Sequence, residues 1–315
     1  MTATKIAIVG AGHVGGTFAY TLLLRGLVSD IVLLDVNRAR AEGEAMDLNH
    51  AAPLASSTRV RTGDYSDCEG AAIVVITGGA AQQPGESRLE LARRNATTFQ
   101  EVIPRIVRYN RDGILVVTTN PVDVLTYAAL ELSGLPAERV IGSGTLLDSA
   151  RFRHLISQHF GIDAQSVHAY IIGEHGDSEV PVWSLANIAG MRLEAFCAAH
   201  GFEHSASMHA IFEQTRDAAY RITERKGATY YAISAALVRI TEAILRDQKT
   251  VLTVSTRIAD AYGIRDVCLS LPAVIGRTGV ERILNLELSP DEQAELRASA
   301  ATIRNVITSL RSLAQ

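Results

Sequence analysis

A histidine set among glycines and acids is the first feature of the sequence that could do chemistry. The stretch GEHGD (173–177) follows an apolar, strand-like run and places His175 between Gly173 and Gly176. Glycines permit tight turns and the close approach of other atoms, so the imidazole could project into a cleft. Histidine exchanges protons near neutral pH, which suits a proton donor or acceptor. A surface turn with an incidental histidine is the alternative.

An acid and an arginine three residues apart could complete such a site. Asp148 and Arg151, in LLDSARFRH (146–154), should share one face of a helix. If that face lines the cleft, Arg151 could grip a carboxylate with its planar guanidinium, and Asp148 could accept a hydrogen bond from Nδ1 of His175. Such a bond sets the tautomer and favours the protonated ring. A local helix ion pair is the more common arrangement.

The stretch GAGHVG (10–15) is typical of a dinucleotide-binding turn. Gly10, Gly12 and Gly15 have the G-x-G-x-x-G spacing, between a predicted strand and a predicted helix. The first glycine makes the turn, the second admits a pyrophosphate, and the third lets the helix pack on the strand. The helix N-terminus supplies N–H groups and partial positive charge for the phosphate. The alternative is that the glycines form only a tight turn.

An acid at the end of the second predicted strand selects between cofactors. Asp35, twenty residues after Gly15, could accept hydrogen bonds from both ribose hydroxyls and would repel a 2′-phosphate. This favours NAD over NADP, unless Asp35 merely caps the next helix. We expect the cofactor site to include further residues of the fingerprint and of the end of the fourth strand: His13, Val14, Thr77 and Gly78.

The segment GGAAQQPGESRLELARRN (78–95) has the composition of a mobile lid. It leaves the fourth predicted strand at its carboxyl end, where ligands bind in such sheets, opens with glycines and then becomes helical. Arg88 stands where loop gives way to helix and could swing toward a ligand. A solvated loop charge is the alternative for Arg88.

The elements that must position these residues form two parts. Apolar strands alternate with helices over residues 1–143, which predicts an α/β fold with a doubly wound parallel sheet, the Rossmann arrangement. Residues 144–315 combine helices with alternating, antiparallel-type strands, which predicts a mixed α+β catalytic domain. Because no linker separates the two parts, we expect a broad interface and a ligand in the cleft between them.

Composition excludes several classes of protein. The 315 residues carry a net charge of −4, which gives no electrostatic reason to bind nucleic acid or an anionic membrane. The three cysteines are far apart and show no metal or disulfide pattern. The stretch MTATKIAIVGAG lacks the regions of a signal peptide, and no apolar run is long enough to span a bilayer. We therefore expect a cytoplasmic protein with no metal site.

Taken together, the motifs resemble the L-lactate/malate dehydrogenase family, and most closely its bacterial L-lactate dehydrogenases. The likeness runs nearly end to end and keeps the family's order and spacing. It rests on GAGHVG, QQPGESR, TTNPVDVLTY, GSGTLLDSARFR, GEHGDSEVPVW and KGATYYAI. The resemblance implies NAD as cofactor and pyruvate and lactate as substrates.

The family's catalytic roles carry over to matching positions. His175 matches the proton donor and acceptor at the substrate C2 oxygen, and Asp148 matches its carboxylate partner. Arg151 matches the arginine that binds the substrate carboxylate, and Arg88 the lid arginine that polarises the carbonyl. Preorganised charge of this kind is usually the largest contribution to catalysis.

Three further residues match the family's ligand-binding positions. Asn120, in TTNP, matches a ligand of the nicotinamide ribose and the substrate oxygen, although an asparagine there could simply cap the helix starting at Pro121. Thr229 and Ile233, in GATYYAI, match residues of the substrate pocket and the nicotinamide contact. For these two, one face of a buried amphipathic helix is the alternative.

One position separates lactate from malate dehydrogenases. Malate dehydrogenases place an arginine six residues before the lid arginine to pair with a second carboxylate, and the corresponding residue here is Gln82. A neutral amide leaves that carboxylate unpaired, which is costly, so the sequence favours pyruvate over oxaloacetate. A Gln82 that points to solvent would select nothing. Malate and branched 2-hydroxyacid dehydrogenases, and a dinucleotide sensor without catalysis, are the rival functions.

Two residues match a regulatory site. Many bacterial lactate dehydrogenases bind fructose 1,6-bisphosphate between subunits, using an arginine two residues after the carboxylate-binding arginine and a histidine seven before the catalytic one. Arg153 and His168 stand at these positions. The resemblance therefore implies activation by fructose 1,6-bisphosphate and a homotetramer with a self-complementary interface. A helix surface charge and a strand-ending histidine are the alternatives.

Overall fold

The computed structural model describes residues 4–80, 85–202 and 205–311. In its first part strands and helices alternate, as the sequence predicts. The elements are β1 (Lys5–Val9), α1 (His13–Arg25), β2 (Asp30–Leu34), α2 (Arg38–Ala55), β3 (Arg59–Thr62), β4 (Ile73–Ile76), α3 (Arg88–Tyr109), β5 (Ile114–Val117), α4 (Val122–Ser133) and β6 (Val140–Gly142).

These six strands form a parallel sheet in the order β3-β2-β1-β4-β5-β6. The order reverses between β1 and β4, and in open α/β sheets a ligand binds at such a point, beyond the carboxyl ends of the strands. The doubly wound prediction is confirmed. The turn after β1 and the segment after β4 therefore lie at the same edge of the sheet.

The second part adds helices and antiparallel strands. Its elements are α5 (Leu146–Phe160), β7 (Val167–His168), β8 (Ile171–Gly173), β9 (Glu179–Pro181), β10 (Asn187–Ile188), β11 (Met191–Arg192), α6 (Leu193–His200), α7 (Ser205–Lys226), α8 (Tyr231–Leu245), β12 (Thr250–Ile258), β13 (Val267–Gly276), β14 (Gly279–Ile283) and α9 (Pro290–Arg311). Strand β12 pairs with β6, so β12, β13, β8 and β9 continue the first sheet. The mixed α+β prediction is confirmed.

Hydrophobic cores cover both faces of the parallel sheet. Successive residues of a strand point to opposite faces, and in β1 Ile6 and Ile8 enter one core whereas Ala7 and Val9 enter the other. This two-sided burial explains why the strands read as continuous apolar runs rather than alternating ones. Among the helices that the structure describes, none has the length and apolar character needed to cross a membrane.

Hydrogen bonds attach α5 to β8. The Thr145 hydroxyl donates to the Ile171 carbonyl at 2.6 Å, and the Ile171 N–H donates to Oγ of Ser149 at 2.9 Å. These groups are buried, where a lost partner would cost the full desolvation penalty. The attachment sets the first turn of α5 against the loop that follows β8, and both segments carry polar side chains.

Candidate active site

A buried carboxylate and a histidine form the centre of the site. Asp148 lies in the first turn of α5 with its side chain 2% exposed, and His175 lies in the loop between β8 and β9 with its side chain 25% exposed. Nδ1 of His175 is 2.5 Å from Oδ2 of Asp148. Because the carboxylate accepts from Nδ1, Nε2 is the ring nitrogen left to face a ligand.

The pair carries charge at neutral pH. Burial by itself lowers the pKa of His175, but the carboxylates of Asp148, Asp123 and Glu179, with Asp148 contributing most, together raise it to about 9. Burial conversely opposes ionisation of Asp148, yet His175 and Arg151 hold the pKa of that carboxyl below its usual range. The ring is therefore an imidazolium that can donate a proton.

The other oxygen of Asp148 holds Arg151. Nη1 of Arg151 lies 2.9 Å from Oδ1 of Asp148 and donates to the Thr215 carbonyl on α7 at 3.3 Å. The arginine side chain is only 13% exposed. The local helix ion pair is present, and the same carboxylate also holds His175.

Arg88 reaches the histidine loop from the opposite side. It is the first residue of α3, just after Ser87, which forms a reciprocal capping box with Glu90. Nη2 of Arg88 donates to the His175 carbonyl at 3.0 Å and lies 2.9 Å from Oε1 of Glu174. The structure therefore brings Arg88 to His175, whereas Gln82 of the same segment lies outside the described residues.

Glycine is required at positions 173 and 176 for different physical reasons. Gly173 has φ +87°, a conformation that L side chains rarely adopt. A Cβ on Gly176 would lie 2.1 Å from Nη2 of Arg88. The second glycine thus makes room for the Arg88 guanidinium.

Two of the fingerprint glycines are required by the protein itself. Gly10 has φ +111°, and a Cβ there would lie 2.4 Å from the Gly78 nitrogen. A Cβ on Gly15 would lie 1.9 Å from the Gly10 carbonyl oxygen, which also accepts from the Thr77 hydroxyl at 2.7 Å. The turn after β1 and the end of β4 are thus packed backbone to backbone.

Gly12 is different, and it provides the test of whether a dinucleotide fits. Its φ of −76° is open to any residue, and a Cβ there would meet no atom of the described residues within 4 Å. Neither strain nor packing among those residues explains this glycine. Gly12 is the N-cap of α1, and no described side chain caps the helix there, so its first N–H groups suit a pyrophosphate. The residues fit the cofactor.

Asp35 stands beside this turn. Its Oδ2 accepts from the Ala11 N–H at 2.7 Å and its Oδ1 from the Asn37 N–H at 2.8 Å. It does not cap α2, because that helix has Asn37 as its N-cap, with a side chain that accepts from the Arg40 N–H. Asp35 therefore links the fingerprint to the end of β2, where a ribose would lie.

The α7–α8 connection approaches the fingerprint from the second part of the chain. His13 is exposed and stacks on Tyr230 with 5.3 Å between ring centroids. Oγ of Ser234 donates to the Val14 carbonyl at 3.3 Å. Thr229 lies in the connection itself rather than on a helix face, and Ile233 lies in the first turn of α8; both are half-buried.

Asn120 is exposed at the carboxyl end of the parallel sheet, after β5. Helix α4 has Pro121 as its N-cap and no side-chain cap bond, so Asn120 does not cap it. Buried Asn95 of α3 donates to the Asn120 carbonyl at 2.7 Å and accepts from the Ala80 N–H at 2.8 Å. Asn95 thereby ties the base of the lid segment to the Asn120 loop.

Three buried acids near His175 have no role in the sequence-based hypothesis. Asp123 of α4 accepts from the His175 N–H at 2.8 Å, and burial raises its pKa to about 6. Burial likewise raises the pKa of Glu179 to about 8. Glu174 is buried and pairs with Arg88. In the sequence, Asp123 and Glu179 can be noticed only as acids among apolar residues, in NPVDVL and SEVPVW. This pattern does not indicate which residues they contact.

The two residues of the predicted regulatory site lie elsewhere. Arg153 follows Arg151 on α5 and is half-buried, and its Nε is buried without a hydrogen-bond partner among the described residues. His168 is exposed in β7, which packs against α5. Over the described ranges, no three histidine, cysteine or acidic side chains are grouped as metal ligands would be.

Comparisons with known proteins agree with this geometry. Residues 4–142 match the family model of the lactate/malate dehydrogenase NAD-binding domain, and residues 145–313 match that of the α/β C-terminal domain. An L-lactate dehydrogenase of Acetivibrio thermocellus is 52% identical over 97% of each chain. A probable L-lactate dehydrogenase of Schizosaccharomyces pombe is 53% identical over 97% of this chain and 93% of that one.

A solved structure is also similar over its whole length. The crystal structure of a lactate dehydrogenase from a Medee basin deep-sea metagenome library has a TM-score of 0.95 and 43% identity, covering 99% of this chain and 100% of that one. The chain therefore belongs to the lactate/malate dehydrogenase family and is an NAD-dependent dehydrogenase.

Proposed function

We propose that this chain is an L-lactate dehydrogenase that interconverts pyruvate and L-lactate. The observation that carries the proposal is the pairing of His175 with buried Asp148, with Arg151 on the same carboxylate and Arg88 against the histidine loop. The names of relatives about half identical to the chain support the choice of substrate.

Each residue has a defined task in pyruvate reduction. NADH supplies the hydride when bound. Protonated His175 donates from Nε2 to the C2 oxygen, and Asp148 stabilises the charged ring before transfer. Arg151 binds the substrate carboxylate with the part of its guanidinium not used by Asp148 and Thr215. Arg88 stabilises the negative charge that develops on oxygen.

The cofactor contacts follow the fingerprint. Gly10, Gly12 and Gly15 form the turn, and Asp35 accepts hydrogen bonds from the adenosine ribose. Asn120 binds the nicotinamide ribose and the substrate oxygen, and Thr229 borders the substrate. The remaining contacts come from His13, Val14, Thr77, Gly78 and Ile233. We place the boundary between the NAD-binding and catalytic domains at residues 143 and 144, which the two family matches support.

Substrate choice and regulation complete the proposal. Gln82 leaves a second substrate carboxylate without a positive partner, which disfavours oxaloacetate. Arg153 and His168 bind fructose 1,6-bisphosphate at an interface of a cytoplasmic homotetramer. The placement of Arg153 on α5 and of exposed His168 on β7, which packs against that helix, supports a shared site.

Initial rates of NADH oxidation test the proposal. Pyruvate and oxaloacetate are each supplied with and without fructose 1,6-bisphosphate. We expect a strong preference for pyruvate that increases with the bisphosphate. Equal or greater activity with oxaloacetate would show that the chain is a malate dehydrogenase instead. Rates that do not respond to the bisphosphate would overturn only the proposed regulation.

A further inference from the structure

A buried acid, Glu174, holds the guanidinium of Arg88. Neither the family resemblance nor the mechanism above assigns a role to this acid. The Glu174 side chain is only 4% exposed, and its Oε1 lies 2.9 Å from Nη2 of Arg88. A carboxylate this deeply buried requires a charged or hydrogen-bonding partner. Because Glu174 directly precedes His175, the partner that it requires lies beside the histidine.

The rest of the fold holds Glu174 in one orientation. Its Oε2 accepts a hydrogen bond from the Ser178 hydroxyl, which also contacts Oγ of Ser299. The Glu174 N–H donates to Oγ of Ser299 on α9 at 2.8 Å. Both the carboxylate and its backbone are thus anchored to elements other than the lid segment that carries Arg88.

Arg88 in turn is held at both ends of its side chain. Its backbone begins α3 beside a capping box, and Nη2 bonds both Glu174 and the His175 carbonyl. Gly176 leaves the space that the guanidinium fills. The contacts therefore converge on one location for this cation, next to the backbone of the histidine.

We propose that Glu174, supported by Ser178, is the positioning residue that holds the Arg88 guanidinium beside His175, so that both donors meet the same developing oxyanion. The inference rests on the proposed function of Arg88. Arg88 begins α3, and Glu174 supplies a fixed point for its guanidinium on the histidine loop. Glu174 acts through Arg88 and does not itself touch the substrate.

A double-mutant cycle tests this role. Glu174→Gln should lower kcat by roughly 10- to 100-fold, the range expected when a positioned group is displaced by about 1 Å. In an Arg88→Ala background the same substitution should change kcat less than about twofold, because the residue it positions is gone. Ser178→Ala should act in the same direction and more weakly, which covers the case in which Glu174→Gln folds poorly.

Controls separate positioning from general damage. Glu242→Gln makes the same substitution at another buried glutamate paired with arginines, in α8, and should leave kcat unchanged. An equal loss from Glu174→Gln in both backgrounds, or an unchanged or raised kcat, would overturn the inference. The cycle uses whichever 2-oxoacid the wild type reduces fastest, so failure of pyruvate as substrate would overturn the proposed function alone.

Discussion

At the scale of single residues, the site depends on the protonation states that neighbouring groups stabilise in His175 and Asp148. His175 stays protonated because Asp148, Asp123 and Glu179 together oppose loss of the proton more strongly than burial favours it. Asp148 stays ionised because His175 and Arg151 share it. The sequence predicted this trio through helix spacing and the glycines around the histidine. It gave no partner for Glu174 or Asp123, because their contacts join segments far apart in the chain.

Loss of the imidazole should remove proton donation while sparing the cofactor. We expect His175→Ala to lower kcat by about 10²–10⁴-fold, the usual contribution of general acid–base catalysis, with the Kd for NADH changed little. Steady-state rates and NADH fluorescence titration measure the two quantities. His209→Ala, at a histidine 77% exposed on α7, is the matched control. Turnover by His175→Ala at the wild-type rate would refute the mechanism.

Glu179 should make stability depend on pH. Burial raises its pKa from 4.5 to about 8, so between these values the folded chain binds more protons than the unfolded chain. The free energy of unfolding therefore falls as pH rises through this window. Glu179→Gln removes the cost of the charge, and its gain in stability over wild type should be larger at pH 9 than at pH 5.

Urea denaturation at both pH values and one protein concentration measures this difference. Glu281→Gln, at a glutamate paired with Lys249 near the surface, controls for the loss of one negative charge. An equal effect of Glu179→Gln at the two pH values would show that Glu179 does not titrate in this range.

At the scale of elements, the long or strongly apolar segments were predictable from the sequence. The alternating strands and helices of residues 1–143 and the antiparallel strands of residues 144–315 are present as their patterns predict. Glycines mark where the apolar strands stop. The two-residue strands β7, β10 and β11 are too short to show a period, and α6 and β14 likewise were not predicted.

The relation of α5 to β8 could not be predicted. Helix spacing places Asp148 and Arg151 on one face, but the direction of that face depends on bonds to Ile171 made by Thr145 and Ser149. Such bonds join residues more than twenty positions apart and leave no periodic signal. Specificity at Gln82 also remains a prediction, because that residue lies outside the described part of the chain.

Cutting one of these bonds should loosen the site. Ser149→Ala leaves the buried Ile171 N–H without its acceptor and should lower the free energy of unfolding by about 1–3 kcal/mol. It should also lower kcat more than it weakens NADH binding, because α5 carries Asp148. Denaturant titration and steady-state kinetics measure these effects. Thr302→Ala, at an exposed hydroxyl of α9, should lower the free energy of unfolding far less. A Ser149→Ala variant as stable as this control would contradict the role given to Ser149.

At the scale of the whole molecule, one sheet runs through both parts of the chain. Strand β6 pairs with β12, so the parallel cofactor-binding sheet continues directly into the antiparallel strands that support the histidine loop. The fingerprint turn and His175 thus belong to a continuous framework. Arg88 contacts the histidine loop, and Tyr230 of the α7–α8 connection stacks on His13 of the fingerprint.

The proposed regulation belongs to this scale, since a site between subunits would require more than one chain. Replacing both Arg153 and His168 by alanine should abolish activation by fructose 1,6-bisphosphate, because the anion loses its positive partners. Rates with and without the bisphosphate, together with light scattering for the oligomeric state, measure the effect. Retained activation in the double variant would exclude these residues as the effector site.

The pH dependence of kcat/KM for pyruvate reduction tests most directly whether His175, held charged by Asp148, donates the proton. The donor must be protonated, so kcat/KM should be high at neutral pH and fall as pH rises through about 9. In Asp148→Asn the fall should move to lower pH, because the carboxylate that raises the pKa is gone. A fall at the same pH in both proteins, or none up to pH 10, would contradict the account.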